Sequence, residues 1–125
     1  MKKRPAGTFL EDILQAIKKI EKYTNGLDCE RFRSDEKSVD AVVRNLEIIG
    51  EASKNIPSEV KDKFPKIPWK KMMGLRNIVI HEYFGVDLKI IWEIASKNLP
   101  EVKPKIERIL KKETGGKNCT KNIRK

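Results

Sequence analysis

Apolar residues recur every three or four positions along most of the chain, which is the spacing that predicts amphipathic helices. In the first such run, Thr8 and Glu11 have the spacing of a capping box, which marks the start of a helix. Asn25 and Gly26 follow the last apolar position and are typical of a helix end. The pattern therefore predicts a first helix whose apolar face consists of Leu10, Ile13, Leu14, Ile17 and Ile20.

A second long run predicts a helix from about Ser34 to Asn55, after a short turn or helix over residues 28–33. Gly50 lies inside this helix and costs up to about 1 kcal/mol there relative to alanine. Two interpretations of Gly50 are open: a neighbouring helix approaches closely at this point, or the glycine is simply tolerated. The apolar stripe of the helix is formed by Val39, Val42, Val43, Leu46, Ile49 and Ile56.

Prolines divide the second half of the chain into shorter predicted helices. Pro57 ends the long helix, and Ser58 is suited to cap a short helix that runs to Phe64. Pro68 suits the first position of the next helix, which Gly85 ends.

The last two predicted helices span residues 88–98, with Asp87 as the cap, and the stretch from Pro100 to about Lys112. Pro100 is expected to kink the chain or to restart the helix. Since the sequence has no strand pattern and no internal repeat, the predicted fold is all-α, an antiparallel bundle of four to five helices. The predicted organisation is a basic N-terminal tail over residues 1–7, the bundle over residues 8–113, and a disordered basic tail over residues 114–125.

Charge is concentrated at the two ends of the chain. Of the formal net charge of +10, residues 1–7 carry +3 and residues 115–125 carry +4, which leaves +3 for residues 8–114. Basic tails raise the non-specific affinity of a protein for polyanions, but they are equally often solvated ends. The charge alone therefore does not establish a nucleic-acid-binding protein.

The cysteine and histidine content excludes several kinds of site. The two cysteines, Cys29 and Cys119, are isolated, and His81 is the one histidine, so neither a disulfide framework nor a structural metal site is expected. No apolar run approaches the length of a membrane span, and no signal-peptide core follows the basic N-terminus. These features predict a cytoplasmic protein without a membrane segment, a metal or a cofactor.

The predicted helix over residues 68–84 carries the candidate chemistry. With Arg76 at zero on a helical wheel, Tyr83 falls near −20°, Trp69 near 20° and Ile80 near 40°. Met72, Met73 and Val79 lie within about 60° of Arg76. Arg76 is therefore expected in the middle of the apolar face, where an unpaired charge is costly. Either it pairs with Glu47 or Glu51 of the long helix, or it binds an anion such as phosphate at a cleft or a subunit seam.

Two more side chains of this helix have a possible chemical role. His81 is the only one whose ordinary pKa suits proton transfer near neutral pH, and it lies four residues after Asn77, on the edge of the polar side. A single histidine is more often structural than catalytic. Tyr83 is equally compatible with an ordinary tyrosine whose ring is buried and whose hydroxyl is solvated.

The combination Arg76-x4-His81-x-Tyr83 resembles the R-x4-H-x-Y motif of HepT-like HEPN-domain ribonuclease toxins, which belong to MntA/HepT-type toxin–antitoxin systems. The resemblance covers roughly residues 8–112, and only the tail after Thr114 departs from the family pattern. Further matching segments are residues 43–52, 67–69, 76–77, 84–87 and 99–100.

The resemblance implies a metal-independent ribonuclease that forms a homodimer, with the motifs of both subunits facing a shared cleft. Arg76 would bind the scissile phosphate of RNA, and His81 would act as a general base or acid. Asn77 would support the phosphate or orient His81. The implied reaction is internal transesterification that leaves a 2′,3′-cyclic phosphate.

The resemblance also implies a regulatory role for Tyr83. In this family the cognate antitoxin, an MntA-like nucleotidyltransferase, is thought to transfer AMP to the motif tyrosine, which defines a type VII toxin–antitoxin system. The added negative charge would compete with RNA phosphates for Arg76. Two alternatives stay open: a non-catalytic nucleotide-binding or accessory subunit of a minimal nucleotidyltransferase, and a purely structural helical dimer.

Overall fold

A computed structural model describes residues 6–84 and 87–113, with side chains described for residues 6–79 and 87–111. Within these ranges the chain forms helices and turns without a strand, which confirms the predicted all-α fold. The predicted disordered tail over residues 114–125 and residues 1–5 of the N-terminal tail lie outside the described residues. The helices are α1 (Ala6–Thr24), α2 (Cys29–Arg33), α3 (Glu36–Lys54), α4 (Ser58–Lys63), α5 (Trp69–Met73), α6 (Leu75–Phe84), α7 (Leu88–Glu93) and α8 (Leu99–Glu113).

The bundle is organised around α1 and α3, which pack against each other. Helix α1 also packs against α8, α3 packs against α5 and α6, and α6 packs against α7. The predicted apolar face of α1 is buried along its whole length, as are the predicted positions of α3 apart from Val43, which is half-buried. Burying a Leu or Ile side chain stabilises a fold by about 1.5–3 kcal/mol, so the hydrophobic periodicity alone accounts for the main packing.

The predicted start of the first helix is wrong by two residues. Helix α1 begins at Ala6, so Thr8 lies inside the helix and is not its cap. Ala6 and Phe9 both pack partly against the core, and this packing extends the helix by part of a turn. Caps that the sequence analysis did not single out occur at Asp28 and Asp35, whose side chains accept hydrogen bonds from the next turn.

The single helix predicted over residues 68–84 is divided into α5 and α6 by Gly74. Pro68 stands immediately before α5, and Pro57 likewise precedes α4, so Ser58 is the first helical residue and not the cap. The N–H of Gly74 donates to the carbonyl of Lys70 at 3.1 Å, and the carbonyl of Gly74 accepts from the N–H of Ile78 at 3.1 Å. The backbone hydrogen bonding therefore continues across the division.

A π-helical turn over Ile94–Asn98 joins α7 to α8 at the place where Pro100 was expected to disturb the chain. The N–H of Leu99 donates to the carbonyl of Ile94, five residues earlier. Pro100 has no N–H, and its ring would clash with the carbonyl of Ser96 in a regular α-helix. The wider turn relieves that clash, so the chain continues without a break into α8. No helix in the described ranges is long and apolar enough to cross a lipid bilayer.

Candidate active site on helix α6

Helices α3 and α6 make a close backbone contact at Gly50. A Cβ atom on Gly50 would lie 3.0 Å from the backbone nitrogen of Arg76 and 3.3 Å from the Cβ of Arg76. Both distances are shorter than ordinary van der Waals contact, so a larger residue at position 50 would push α6 away. Of the two interpretations of Gly50, the structure supports the close approach of a neighbouring helix.

Arg76 does not occupy the middle of the apolar face, which corrects the helical-wheel prediction. Its side chain is exposed, while Met72, Leu75 and Val79 are buried beside it. These three positions centre about 60° away from Arg76 around the helix axis. The core side is shifted because α6 contacts α3 on one flank and α7 on another. Arg76 therefore emerges at the edge of the buried face, where its guanidinium can reach water.

Among the described side chains, Glu51 is the carboxylate that pairs with Arg76. Arg76 Nη1 and Glu51 Oε1 are 3.8 Å apart, and the two side chains are 56% and 54% exposed. The distance is longer than a hydrogen bond, and an exposed ion pair of this kind contributes only about 0–1 kcal/mol. The sequence analysis named Glu51 as one possible partner. The pair is a surface pair, so it leaves the guanidinium accessible to another anion.

The charges of α3 beside Arg76 nearly balance. Arg44 Nη1 lies 3.9 Å from Glu47 Oε1, so Glu47, the other suggested partner of Arg76, belongs instead to a pair within α3. Arg44, Glu47 and Glu51 lie on one side of the helix, since they are three and four residues apart. With Arg76 they place two positive and two negative charges together. Because these charges cancel, an anion here would be bound by hydrogen bonds to the Arg76 guanidinium and not by a strong local electrostatic field.

The remaining motif residues are only partly described. Asn77 is exposed and follows Arg76 directly. The backbones of His81 and Tyr83 continue α6, so all four candidate residues belong to one helix. The side chains of His81 and Tyr83 lie outside the described residues, and their predicted roles stay predictions.

The described side chains include one thiol and no cluster of possible metal ligands. Among them, no three His, Cys, Asp or Glu residues are grouped where they could hold a metal ion. Cys29 is a free, half-buried thiol at the start of α2. Cys119 lies outside the described ranges.

Comparison with known proteins places this helix in a family context. The family model described as "Ribonuclease HepT-like" matches residues 13–109, which include α3, α6 and most of α8. The chain belongs to the HepT-like ribonuclease family. This finding confirms the family resemblance that the motif around Arg76 indicated.

Several named proteins are similar to most of this chain. A Thermococcus cleftensis protein named "Probable ribonuclease HepT" is 46% identical over 109 residues, which cover 87% of this chain and 99% of that protein. A provisionally named RNase of Methanocaldococcus jannaschii is 43% identical over 107 residues, covering 86% and 98% of the two chains. A similarly named protein of Caldanaerobacter subterraneus is 46% identical over 105 residues, covering 84% and 94%. No solved structure is significantly similar to the chain.

The contact at Gly50 joins two segments of the chain that both match the family pattern. The residues that meet in the described structure, Gly50 and Glu51 of α3 and Arg76 of α6, come from two segments that the sequence analysis matched to the HepT-like pattern separately. Sequence reasoning offered Glu51 as a possible partner of Arg76, but it did not connect Gly50 with Arg76. Contact between residues 26 positions apart cannot be inferred from the spacing within either helix.

Proposed function

We propose that this chain is a ribonuclease that cleaves RNA by metal-independent transesterification, with Arg76 binding the scissile phosphate and His81 transferring protons. The observation that supports the proposal most directly is that Arg76 has a fixed backbone and an accessible guanidinium. Its backbone is fixed against Gly50, its guanidinium is exposed, and its only neighbouring carboxylate, among the described side chains, is held loosely at 3.8 Å. A phosphate that accepts two hydrogen bonds can replace such a partner.

The reaction requires two proton transfers and one displacement. A general base accepts the proton of the ribose 2′-hydroxyl, and the 2′-oxygen attacks phosphorus as the bond to the 5′-oxygen breaks. The leaving 5′-oxygen takes a proton from a general acid, which leaves a 2′,3′-cyclic phosphate and a 5′-hydroxyl. Arg76 stabilises the charge that develops on the non-bridging oxygens. Asn77, exposed beside it, supports the phosphate or orients His81.

Two proton-transfer roles call for two suitable groups, and the sequence contains one histidine, His81. A symmetric homodimer supplies a second copy of it at a shared cleft. We therefore propose a homodimer in which one His81 acts as the base and the other as the acid.

Tyr83 is proposed to be the regulatory position of a type VII toxin–antitoxin system. The tyrosine hydroxyl attacks the α-phosphorus of ATP on the MntA-like nucleotidyltransferase antitoxin, forming a tyrosyl–AMP bond and releasing pyrophosphate and a proton. The AMP phosphate adds negative charge on the same helix as Arg76 and so competes with the RNA phosphate. This modification would keep the toxin inactive until it is needed.

The decisive experiment measures cleavage of RNA in excess EDTA by the purified wild-type chain and by Arg76→Ala and His81→Ala. We expect the wild type to be active and each variant to lose about 10²–10³-fold or more in rate. Arg33→Ala is the matched control, because it removes an exposed arginine of α2 that is not among the charges beside Arg76. It should retain wild-type activity.

Three results would contradict the proposal. Cleavage that persists in both folded variants would point to a contaminating nuclease. Cleavage abolished by EDTA would exclude the metal-independent reaction. Absence of cleavage together with AMP incorporation at Tyr83 by the antitoxin would favour the accessory-subunit alternative.

A further inference from the structure

A basic groove lies between the α4–α5 loop and α8. Its volume is about 260 Å³, and none of the eight residues that line it is acidic. Cationic side chains come from both walls, with Lys66 on the loop and Lys105 and Arg108 on α8. Lys105 and Arg108 are three residues apart and so lie on the same side of the helix. The groove is therefore a positively charged surface built from two separate parts of the chain.

Four cations line this groove, and one of them, Lys63, has other interactions in the fold. The remaining three are available to a ligand. Lys66 and Arg108 are exposed and Lys105 is half-buried, and none of them forms an ion pair with any residue of the described ranges. Lys103, only two residues before Lys105, points to the other side of α8 and binds Glu21 at 2.9 Å. Helix α8 therefore uses Lys103 for a contact with α1, whereas Lys105 and Arg108 lie along the groove without an ion pair in the described ranges.

The floor of the groove is apolar and held in place. Ile67 and Ile109 are buried beneath it, and Phe64, which also lines the groove, is half-buried. The carbonyl of Phe64 accepts a hydrogen bond from Trp69 Nε1 at 3.0 Å, and Trp69 is itself buried. The N–H of Ile67 also donates to the Phe64 carbonyl at 3.2 Å. These contacts fix the loop that carries Phe64.

The row of cations extends beyond this groove towards α6. Lys66 and Lys105 also line a second, larger groove of about 690 Å³, to which Lys71 of α5 and Ile78 of α6 contribute. Glu101 is the one acidic residue among its lining. The two grooves share Lys66 and Lys105 and together form a surface from Arg108 to Ile78 of α6, on another side of that helix from Arg76.

We propose that the row of Arg108, Lys105, Lys66 and Lys71 binds the sugar–phosphate backbone of a single-stranded RNA segment outside the cleavage site. This proposal rests on the proposed ribonuclease function. Cations beside an aromatic face are the combination that binds single-stranded nucleic acid, with phosphates on the cations and a base stacked on the ring of Phe64. The balanced charge around Arg76 supplies little long-range attraction, so this row provides the affinity that the cleavage site lacks.

The test compares two triple variants with the same change in net charge. Lys66→Gln/Lys105→Gln/Arg108→Gln removes three of the four cations of the row. Lys18→Gln/Lys19→Gln/Lys22→Gln removes three exposed lysines of α1 outside both grooves. The probe is a 2′-O-methyl single-stranded RNA, which cannot undergo transesterification. We expect the groove variant to lose about 2 from the slope of log affinity against log salt, and about 100-fold in affinity at about 0.1 M salt.

The control variant should lose much less. Equal weakening in both triple variants would mean that net charge alone attracts RNA, and no weakening in the groove variant would mean that RNA follows another path. Either result overturns the proposal. Phe64→Leu keeps the apolar packing but removes the stacking face, and it should weaken binding by about fivefold or more while the melting temperature is retained.

A dinucleoside monophosphate separates this proposal from the ribonuclease function itself. Such a substrate is too short to extend along the row, so wild type and groove variant should cleave it at the same rate. Their kcat/KM values on a long RNA should differ. If the wild type cleaves neither substrate, the proposed ribonuclease function fails, and the binding of the 2′-O-methyl RNA still decides whether the groove binds single strands.

Discussion

Two ion pairs between helices of this bundle, each formed by a cation and a glutamate, differ in length and in exposure to solvent. Lys103 of α8 and Glu21 of α1 meet at 2.9 Å with side chains 26% and 39% exposed. Their hydrogen bond raises the pKa of Lys103 above its ordinary value. Arg76 of α6 and Glu51 of α3 are 3.8 Å apart and more exposed. The first pair joins two helices, whereas the second leaves a cation available to a ligand.

The difference arises from how closely the helix backbones approach. At Gly50 the backbones of α3 and α6 are so near that there is no space between them for a side chain. The Arg76 side chain therefore has to leave the interface outwards, alongside Glu51, and both ends reach solvent. Lys103 and Glu21 instead extend towards each other and form a direct hydrogen bond. A functional arginine can thus be held precisely by its backbone and remain free at its guanidinium.

The largest change in stability is expected from adding a side chain at Gly50, where the backbones of α3 and α6 are in close contact. Gly50→Ala places a methyl group 3.0 Å from the Arg76 backbone nitrogen, so α6 must shift. Overpacking costs about 1–3 kcal/mol, and the better helix propensity of alanine returns up to about 1 kcal/mol. We expect a net loss of about 1–2 kcal/mol in the free energy of unfolding, measured by denaturant titration, and a lower cleavage rate.

Gly74→Ala is the matched control for this prediction. A Cβ atom there would meet only the carbonyls of Lys70 and Lys71 at 3.5 Å, an ordinary contact distance, and the backbone of Gly74 is right-handed helical. This variant should be neutral or stabilising by up to about 1 kcal/mol. If both variants had the same stability, the close approach at Gly50 would not be the constraint that we infer.

The fold could be predicted because its core follows one simple periodicity. The apolar stripe of α1 and that of α3 were visible in the spacing of Leu, Ile and Val alone. Three details could not be seen in that spacing. The start at Ala6 depends on packing against the core, the division at Gly74 has no strong sequence signal, and the π-helical turn reflects the backbone geometry that Pro100 requires.

The sequence analysis placed the candidate residues on one helix, but it could not establish their contacts. A helical wheel of one helix contains no neighbours, so it placed Arg76 in the centre of a face whose true centre is set by α3 and α7. It also could not choose between Glu47 and Glu51. The basic groove joins Lys66 to Lys105, which are too far apart in the sequence for any local pattern to connect them.

A smaller effect is expected from removing the carboxylate that competes for Arg76. Glu51→Gln keeps the shape of the side chain but removes the negative charge near the guanidinium. Because the pair is exposed, the gain should not exceed about 1 kcal/mol, which corresponds to about two- to fivefold tighter binding of 2′-O-methyl RNA. Glu47→Gln, whose partner is Arg44, should change the affinity less. Weaker binding by Glu51→Gln would show that Glu51 positions Arg76 and does not compete for it.

The smallest change in stability is expected from breaking the pair of Lys103 and Glu21, and this change should depend on pH. Lys103→Met keeps the apolar stem and removes the hydrogen bond to Glu21, so stability should fall by less than about 1 kcal/mol while RNA cleavage is unchanged. The pKa of Lys103 is raised in the folded protein, so its contribution is complete below the unfolded-state value of about 10.4. That contribution is lost as the pH rises through the folded-state pKa. Melting curves of wild type and variant should therefore differ at neutral pH and converge above that pKa. A difference that persisted in strong alkali would contradict this prediction. It would mean that the methylene packing of Lys103, and not its charge, supports the contact between α1 and α8.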